Sequence, residues 1–155
     1  MADMTVEIRC TRDIGRQILR HRSFCFQEFS QRYAVAQEFI IRECRTQDTK
    51  DRQNSISVED SDLEEYWNTL QEDVKLLTRM FYDEALDKGI AKEQARCILP
   101  EGMTMSTMYM KGSIRSWIHY LQVRCGPETQ KEHREIAEEI KCELLEQIPS
   151  LKDII

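Results

Sequence analysis

Hydrophobic and polar positions alternate near the start of the chain and again after residue 102. Met4 to Cys10 alternates apolar and polar residues, and residues 103–110 place methionine or tyrosine between small polar side chains. A period of two puts the apolar side chains on one face of a strand. We therefore predict strands at both places, and a mixture of loop and strand over 23–45, where Phe39-Ile40-Ile41 favours β-structure.

A period of three to four residues predicts one long helix in the middle of the chain. Ser61-Asp62-Leu63-Glu64 fits a capping box at its start, and Gly89 is typical of its end. Its apolar positions are Leu63, Trp67, Leu70, Val74, Leu77 and Phe81. Such a stripe is usually core or subunit contact rather than a cofactor site.

Four shorter helices are also predicted. The first covers 13–22 and places Arg16 and Arg20 away from its aliphatic residues, and the second covers 91–99 and stops before Pro100. The third begins at a Ser113 cap and carries an apolar face of Ile114, Trp117, Ile118 and Leu121. The fourth is expected to begin at Pro127 and to bury Ile136, Ile140 and Leu144. The polar stretch 46–55 predicts a solvated loop.

The composition fits one folded domain over residues 1–155. Hydrophobic residues make up 41% and charged residues 32% of the chain, which excludes a mainly disordered protein. No apolar run reaches membrane-spanning length and no signal peptide is visible, so we expect a cytosolic protein without a membrane partner. The six cysteines form no CxxC pair and match no zinc pattern with the three histidines. We expect reduced, mostly buried thiols and no metal.

Charge is distributed unevenly along the chain. The net charge of −6 counts against a general nucleic-acid binder. Between Arg9 and Arg52, however, ten basic residues stand against six acidic ones, whereas Glu59 to Asp73 holds seven acidic residues and no basic one. The pattern indicates a local basic site on an acidic protein.

Arg20-His21-Arg22 is the densest cationic cluster of that basic region. Guanidinium groups bind phosphate with two parallel hydrogen bonds, so the cluster is typical of an anion site. The same residues could instead cap the negative end of a helix. Neither GxGxxG nor GxxxxGK[ST] occurs, so side chains would have to hold any nucleotide.

Further cationic candidates lie downstream, and each also has a simpler explanation. Arg115 and His119 are four residues apart and could face one ligand, although the spacing alone favours a solvated or core-edge histidine at position 119. Arg96 could form a surface ion pair with Glu93, and Arg124 stands where a helix end favours a cation.

Several motifs together resemble the flavin-dependent thymidylate synthases. Arg20-His21-Arg22, seven residues and Ser30 match the signature of that family, and residues 28–33 resemble its continuation. Residues 93–100 resemble its EXAR-x-x-LP stretch, and residues 113–124 resemble its flavin-binding helix with the closing arginine. The similarity runs in order from about Thr5 to Leu145.

The resemblance implies an α+β fold (α/β in the broad sense) in which helices wrap an antiparallel sheet. It implies a cytoplasmic homotetramer, in a host cytoplasm if a virus encodes the chain, with active sites shared between subunits. The implied reaction methylates dUMP to dTMP, with methylenetetrahydrofolate as carbon donor and NADPH-reduced FAD as hydride source.

The resemblance also implies roles for individual residues. The dUMP ligands would be Gln17, Arg20, Glu28, Ser30, Gln31, Arg32, Arg96 and Arg124. The FAD ligands would be Arg20, His21, Arg22, Glu28, Ser113, Ile114, Arg115 and His119. Arg124 would be catalytic, because a guanidinium beside the uracil stabilises negative charge that develops on the ring.

Three departures from the family pattern bear on flavin binding. Only nineteen residues precede Arg20, where family members usually carry several dozen more, so the chain is expected to be N-terminally shortened. Ser113 stands where asparagine is common, and Cys25 where serine is common. The alternatives are a non-catalytic nucleotide-binding or assembly subunit without a complete flavin pocket and, against the net charge, a regulatory nucleic-acid binder.

Overall fold

A computed structural model of the protein describes residues 2–33, 35 and 38–155. The strands are β1 (Asp3–Thr11), β2 (Cys25–Glu28), β3 (Arg45–Gln47), β4 (Ser55–Ser57) and β5 (Met105–Ser113). The helices are α1 (Arg12–Ile18), α2 (Ser61–Asp87), α3 (Lys92–Ala95), α4 (Ile114–Arg124) and α5 (Lys131–Gln147). Short 3-10 turns cover Arg96–Ile98 and Pro149–Leu151.

The main sheet is antiparallel and has the strand order β1-β5-β2. Ile8 lies opposite Met108 on the buried face, and Glu7 lies opposite Tyr109 on the exposed face. This alternation is the one that the sequence predicts for the two strands, although β5 begins at Met105 and continues to Ser113. The combination of this sheet with packed helices confirms the α+β fold.

Three helices cover the apolar face of the sheet and form the main core with it. The buried residues of this core are Ile8, Cys10, Ile14, Ile18, Phe24, Met108, Met110, Trp117, Tyr120, Leu121, Ala137, Ile140, Leu144 and Leu151. The burial of these residues confirms the apolar face of α1. It also confirms two of the predicted apolar positions in each of α4 and α5, which are Trp117, Leu121, Ile140 and Leu144. Gly112 is required in this packing, because a Cβ atom there would lie 2.5 Å from the ring of Phe24.

Helix α2 is the predicted long helix, but its N-cap residue and the burial of its apolar stripe differ from the prediction. Its N-cap is Asp60, whose carboxylate accepts hydrogen bonds from the amides of Asp62 and Leu63, so the expected capping box at Ser61 is wrong by one residue. Gly89 follows the C-cap with a φ of 81°, which confirms the predicted stop. The apolar stripe is not core, since five of its six residues are 38–52% exposed.

Other helix boundaries and the polar loop differ from the predictions. α1 ends at Ile18 rather than Arg22, because the amide of His21 turns back to the carbonyl of Ile18. α5 begins at Lys131, since Pro127 belongs to a turn closed by the Thr129 amide and the Gly126 carbonyl. β3 and β4 form a hairpin that borders the predicted loop.

The region predicted as loop and strand contains less strand than expected around Phe39. Phe39 makes an isolated bridge to Thr104 instead of a strand, and Ala34, Ala36 and Gln37 lie outside the described residues. The prediction of mostly buried thiols is wrong, because three of the six cysteines are exposed and Cys10 alone of the six is fully buried. No helix in the described part of the chain is long and apolar enough to cross a membrane.

Candidate active site

The Arg20-His21-Arg22 turn after α1 meets the C-terminal end of α4. The Nε of Arg124 donates a hydrogen bond of 2.9 Å to Nε2 of His21. Arg124 is half-buried in the last turn of α4, where the helix dipole favours its charge. Among the described residues none accepts a hydrogen bond from its two terminal nitrogens, so they are available to a ligand.

His21 can accept that hydrogen bond because it is neutral. Burial lowers the pKa of His21 to about 4, and the positive charges of Arg124 and His119 add to this effect. The ring packs edge-on against Tyr120 with 4.8 Å between the centroids. A neutral imidazole thus orients the arginine without adding a second full charge.

His133 lies directly behind this pair in the core. It is fully buried, and its Nε2 lies 3.0 Å from the hydroxyl of Tyr120 while its Nδ1 lies 3.3 Å from Oε1 of Gln17. Burial, followed by the charges of Arg124 and His21, lowers the pKa of His133 to about 4. The ring is therefore neutral at pH 7.

Sequence reasoning missed Tyr120 and His133. A signal was present for His133, because it begins the series His133, Ala137, Ile140 and Leu144, whose spacing of four, three and four residues is that of a buried stripe. A histidine at a core position of this kind needs partners for both ring nitrogens. The structure supplies them in Tyr120 and Gln17.

The outer face of α4 carries most of the other predicted flavin ligands. Arg115 and His119 line one depression of about 530 Å³, as their spacing predicts, together with Ser23, Ser116, Ile118 and Gln122. Arg20 and Arg22 are exposed, and they stand just before Ser23, which lines this depression. Cationic and hydroxyl donors around an apolar side chain fit a cofactor that has phosphates and an aromatic ring.

The two predicted ligands at the start of α4 also stabilise the fold, one as a helix cap and the other by packing against the core. The hydroxyl of Ser113 accepts the amide hydrogen of Ser116 at 3.2 Å and so caps the helix, as predicted. Ile114 is half-buried and packs against the core. Any contact of Ser113 with a flavin has to coexist with the cap.

A second group of predicted residues surrounds the far end of β2. The carboxylate of Glu28 accepts a hydrogen bond of 3.0 Å from Ser106 and lies 3.5 Å from Arg12. The hydroxyl of Ser30 accepts from the amide of Arg32 at 3.3 Å, which is the geometry of a tight turn. Gln31 is buried against the carbonyl of Met105.

Arg32 and Arg96 meet at Glu93 in this second group. The carboxylate of Glu93 pairs with Arg32 at 3.2 Å, while Arg96 donates from Nε to the backbone carbonyl of Glu93. The predicted surface ion pair between Glu93 and Arg96 is therefore wrong, because Arg32 takes the carboxylate. Both arginines point to the same short helix, α3.

The two groups lie at opposite ends of β2. Gln17, His21 and Arg124 lie at the end where β2 begins, whereas Glu28 and Ser30 lie where it ends. A strand rises about 3.3 Å per residue, so β2 separates the two groups by roughly 10 Å. No hydrogen bond or ion pair joins them within the described part of the chain. One chain thus presents two separate half-sites.

One wide cleft of the described chain belongs to neither half-site. It has a volume of about 910 Å³ and runs between β1 and α5, lined by residues 4–9 and by α5 residues such as Ile136, Ile140 and Glu143. None of the predicted ligands lines it. Size alone therefore does not locate the predicted site.

Comparison with known proteins gives the family of this chain. Residues 1–150 match the family described as thymidylate synthase complementing protein. The chain is 57% identical over 137 residues to the flavin-dependent thymidylate synthase of Synechocystis sp. (strain ATCC 27184 / PCC 6803 / Kazusa), covering 88% of this chain and 63% of that protein. It is 46% identical over 151 residues to a probable flavin-dependent thymidylate synthase of Paramecium bursaria Chlorella virus 1, covering 97% of this chain and 69% of the relative.

A solved structure agrees with these sequence matches. The UMP/dUMP methylase PolB from Streptomyces cacaoi, bound with 5-Br UMP, superposes with a TM-score of 0.84 at 25% identity, covering 93% of this chain and 69% of PolB. The chain spans less than two thirds of the length of the Synechocystis relative. By the match over residues 1–150 and the two sequence relatives, the chain belongs to the thymidylate synthase complementing protein family.

Proposed function

We propose that this protein is a flavin-dependent thymidylate synthase that methylates dUMP to dTMP. The observation that carries the proposal is Arg124, which neutral His21 holds in place while its terminal nitrogens stay available to a ligand. The relatives named flavin-dependent thymidylate synthase support it, as does PolB, a UMP/dUMP methylase. The extent of the chain as a single domain over 1–155 and a cytoplasmic location remain predictions.

Arg124 would act on the uracil ring. A fixed guanidinium in a half-buried position stabilises negative charge that develops at N3 and O2 of uracil, and this makes the ring easier to attack. His21 would keep the guanidinium in one orientation, so that little reorganisation is needed during the reaction.

The remaining substrate ligands would come from both half-sites. Gln17 and Arg20 accompany Arg124 at one end of β2, whereas the other group lies at the far end and consists of Glu28, Ser30, Gln31, Arg32 and Arg96. We propose that a second copy of the chain supplies one of these two groups to each site. The homotetramer expected of this family would allow such sharing, and the apolar stripe of α2 offers a contact surface.

FAD would bind along the exposed face of α4. Arg115 and His119 line the depression there, and Arg20, His21, Arg22, Ser113 and Ile114 are proposed as ligands from the same chain. Glu28 lies in the other half-site and would reach the flavin from a second copy of the chain. When bound, FAD supplies the hydride, after reduction by NADPH and with methylenetetrahydrofolate as carbon donor. The task of the protein chain is to bind these groups and to orient the uracil.

The test measures FAD binding and turnover in the same preparation. Purified protein should bind FAD and release tritium from dUMP labelled at C5 when NADPH and methylenetetrahydrofolate are present. Arg124→Ala should lower turnover by at least about 100-fold with the thermal unfolding midpoint nearly unchanged. Arg124→Lys is the matched control that keeps the charge but loses the planar fork. A protein that takes up no flavin and releases no tritium would contradict the proposal.

A nucleotide-binding subunit without flavin chemistry is the second candidate. It is favoured by Ser113, whose hydroxyl is committed to the helix cap. Calorimetry with dUMP and with FAD separates the two functions, because binding of dUMP alone supports the second candidate and binding of both supports the first.

A further inference from the structure

The outer edge of β1 has no strand beside it in the described part of the chain. The strand order β1-β5-β2 puts β5 on one side of β1 and leaves the other side open. An unpaired edge carries a row of backbone N–H and C=O groups that can pair with an added strand. Residues 4–9 of this strand line the cleft of about 910 Å³ between β1 and α5.

The register of the sheet shows which residues of β1 point their backbone groups to the open edge. The amide of Ile114 donates to the carbonyl of Ala2, and the amide of Arg12 donates to the carbonyl of Thr104. In the continuous antiparallel register between them, hydrogen-bonded pairs recur at every second residue, so even positions of β1 bond to β5. The N–H and C=O groups of the odd positions therefore face away from β5.

The open-edge positions that line the cleft are Thr5, Glu7 and Arg9. No hydrogen bond from a described residue reaches their backbone groups. Val6 and Ile8, which alternate with them, bond to β5 and turn their side chains to the core. Strand β1 thus offers an alternating row of donors and acceptors to a strand that lies in the cleft.

The α5 wall of the cleft is apolar at its base and acidic at its rim. Ile136 and Ile140 line the cleft, and Ile140 is 4% exposed. Glu135, Glu139 and Glu143 also line it and are exposed, at a spacing of four residues. Residues four apart lie on the same side of a helix, so the three carboxylates form a row along the cleft.

This carboxylate row has little compensation from within the described chain. Glu139 and Glu143 have no ion pair there, and the ion pair of Glu135 with its own helix is long, at 3.8 Å. Arg9, the one cation that lines the cleft, pairs with Glu38 at 2.6 Å. Like charges four residues apart destabilise a helix, so a cation bound beside the row would relieve that repulsion.

The spacing of the row matches that of side chains on a strand. Four residues of a helix rise about 6 Å, and every second residue of a strand is about 6.6 Å further along. Three basic residues at alternate positions of an added strand would therefore meet the three carboxylates in turn. Their aliphatic stems would cover Ile136 and Ile140, as the stems of lysine and arginine do on apolar surfaces.

We propose that the open edge of β1 is a docking site for an extended basic segment of another protein, which adds to the sheet as a further strand with lysine or arginine at every second position. The strand edge supplies the backbone hydrogen bonds, and the carboxylate row of α5 selects the charge. A second copy of this chain is a poorer occupant, because its β1 edge would bring Glu139 and Glu143 of both copies together. The inference is independent of the proposed function, since none of the predicted ligands lines this cleft.

Titration with a synthetic peptide tests the docking site. The probe is acetyl-Thr-Lys-Thr-Lys-Thr-Lys-Thr-amide, which alternates lysine with a residue that favours strands. The ¹⁵N-labelled full chain should bind it with a Kd below about 1 mM. Amide exchange at Thr5, Glu7 and Arg9 should be fast in the free protein and at least about tenfold slower in the complex, whereas Val6 and Ile8 should exchange slowly in both. Absence of binding would overturn the proposal.

Two N-methylated peptides separate strand addition from simple charge attraction. One carries its methyl groups on the threonine amides and the other on the lysine amides, so both keep the charge of the probe. Only one of these sets of amides faces β1 in a paired strand. One peptide should therefore bind at least about tenfold more weakly than the probe, and the other should bind as the probe does. Equal effects of the two methylations would contradict strand pairing.

Charge reversal tests the carboxylate row. Glu139→Lys should weaken peptide binding at least about tenfold. It should not lower the midpoint of thermal unfolding, because the new lysine has Glu135 and Glu143 four residues away on either side. Glu146→Lys is the matched control, since it makes the same change at an exposed α5 position outside the cleft, and its affinity should stay within about threefold of wild type. Wild-type affinity in Glu139→Lys would show that the row does not select the partner.

Sedimentation velocity shows whether a second copy occupies the edge instead. The probe should leave the mass of the chain's own assembly unchanged, because that assembly does not use β1. If Thr5, Glu7 and Arg9 are already protected from exchange in the free protein and the probe lowers the mass, the edge is an interface between copies, and the proposal of a basic partner is overturned.

Discussion

Helices α2 and α4 carry similar patterns of apolar residues but bury them very differently. Trp117 and Leu121 of α4 are 0% and 1% exposed, because the helix lies on the sheet that precedes it. Leu77 and Phe81 of α2 remain 48% and 52% exposed. A helical period thus shows which face needs a cover but does not show what covers it.

The difference is informative about assembly. An isolated apolar residue on a surface is ordinary, but a row of them along a helix of 27 residues is typical of an interaction surface. The α4 stripe is covered within the chain, and the proposed shared active site would cover the α2 stripe with another copy.

Trp117→Ala should have the largest effect. The side chain is fully buried against Phe24 and Tyr120, so its removal should lower the free energy of unfolding by about 3–5 kcal/mol. Urea denaturation at fixed protein concentration measures this. Leu70→Ala, on the α2 stripe, should cost clearly less in the dissociated chain, and equal losses would remove the distinction between the helices.

Acid should destabilise the α4 side of the molecule next. The pKa values of His21 and His133 are lowered to about 4 in the folded protein, so unfolding takes up protons between pH 6.5 and 4. Their contribution is complete above pH 6.5 and is lost as the pH falls. The buried His133 contributes roughly 3 kcal/mol, and the half-exposed His21 adds a smaller share that solvent screens.

Hydrogen exchange followed by mass spectrometry between pH 7 and 4.5, corrected for intrinsic rates, checks this acid effect. Protection in α4 and α5 should fall within that window, and His133→Asn should flatten the dependence. His119→Asn should change the profile much less, because His119 is an exposed histidine and its charge is the smallest of the three causes that lower the pKa of His21. A flat profile in wild type would show that His21 and His133 do not have lowered pKa values in the folded protein.

Leu77→Asp should change assembly rather than folding. A charge on the α2 stripe should raise the dissociation constant of the oligomer at least tenfold, about 1.4 kcal/mol, and leave the helix content unchanged. Sedimentation velocity and circular dichroism measure both. Thr69→Asp adds the same charge to an exposed α2 position outside the stripe and should leave the mass unaltered; a wild-type monomer would contradict the proposed use of α2.

The helix caps should give the smallest effects. Asp60→Ala and Ser113→Ala each remove a side chain that accepts amide hydrogens at a helix start, so each should cost about 1 kcal/mol. Thermal unfolding measures the two variants side by side. Because α4 is part of the core, Ser113→Ala should lower the midpoint of the whole chain, whereas fraying after Asp60→Ala should stay local to α2.

The sequence allowed the local features of this fold to be predicted. The alternating strands, the Ser113 cap, the Gly89 stop and the shared face of Arg115 and His119 all depend on residues within a few positions of one another. The helix ends at Arg22 and Pro127 were predicted wrongly, because neighbouring turns compete with helix there.

Contacts between distant residues could not be predicted in this way. Gln17 reaches Gln130, and His21 reaches Arg124, across more than a hundred residues, and no periodicity encodes such a pairing. The resemblance placed Gln17, His21 and Arg124 near one ligand. It did not show that a neutral imidazole holds the arginine, or that two half-sites lie at opposite ends of β2.

Strand β1 also has a consequence for how this protein behaves at high concentration. It is an edge of the described sheet, and an exposed edge can pair with the edge of another molecule and begin aggregation. Glu7 and Arg9 place charges on its exposed face, and Glu139 and Glu143 of α5 line the cleft beside it. Two such edges that approach each other bring the carboxylates of Glu139 and Glu143 from both molecules together, so the residues that make the cleft acidic also oppose edge-to-edge pairing of β1.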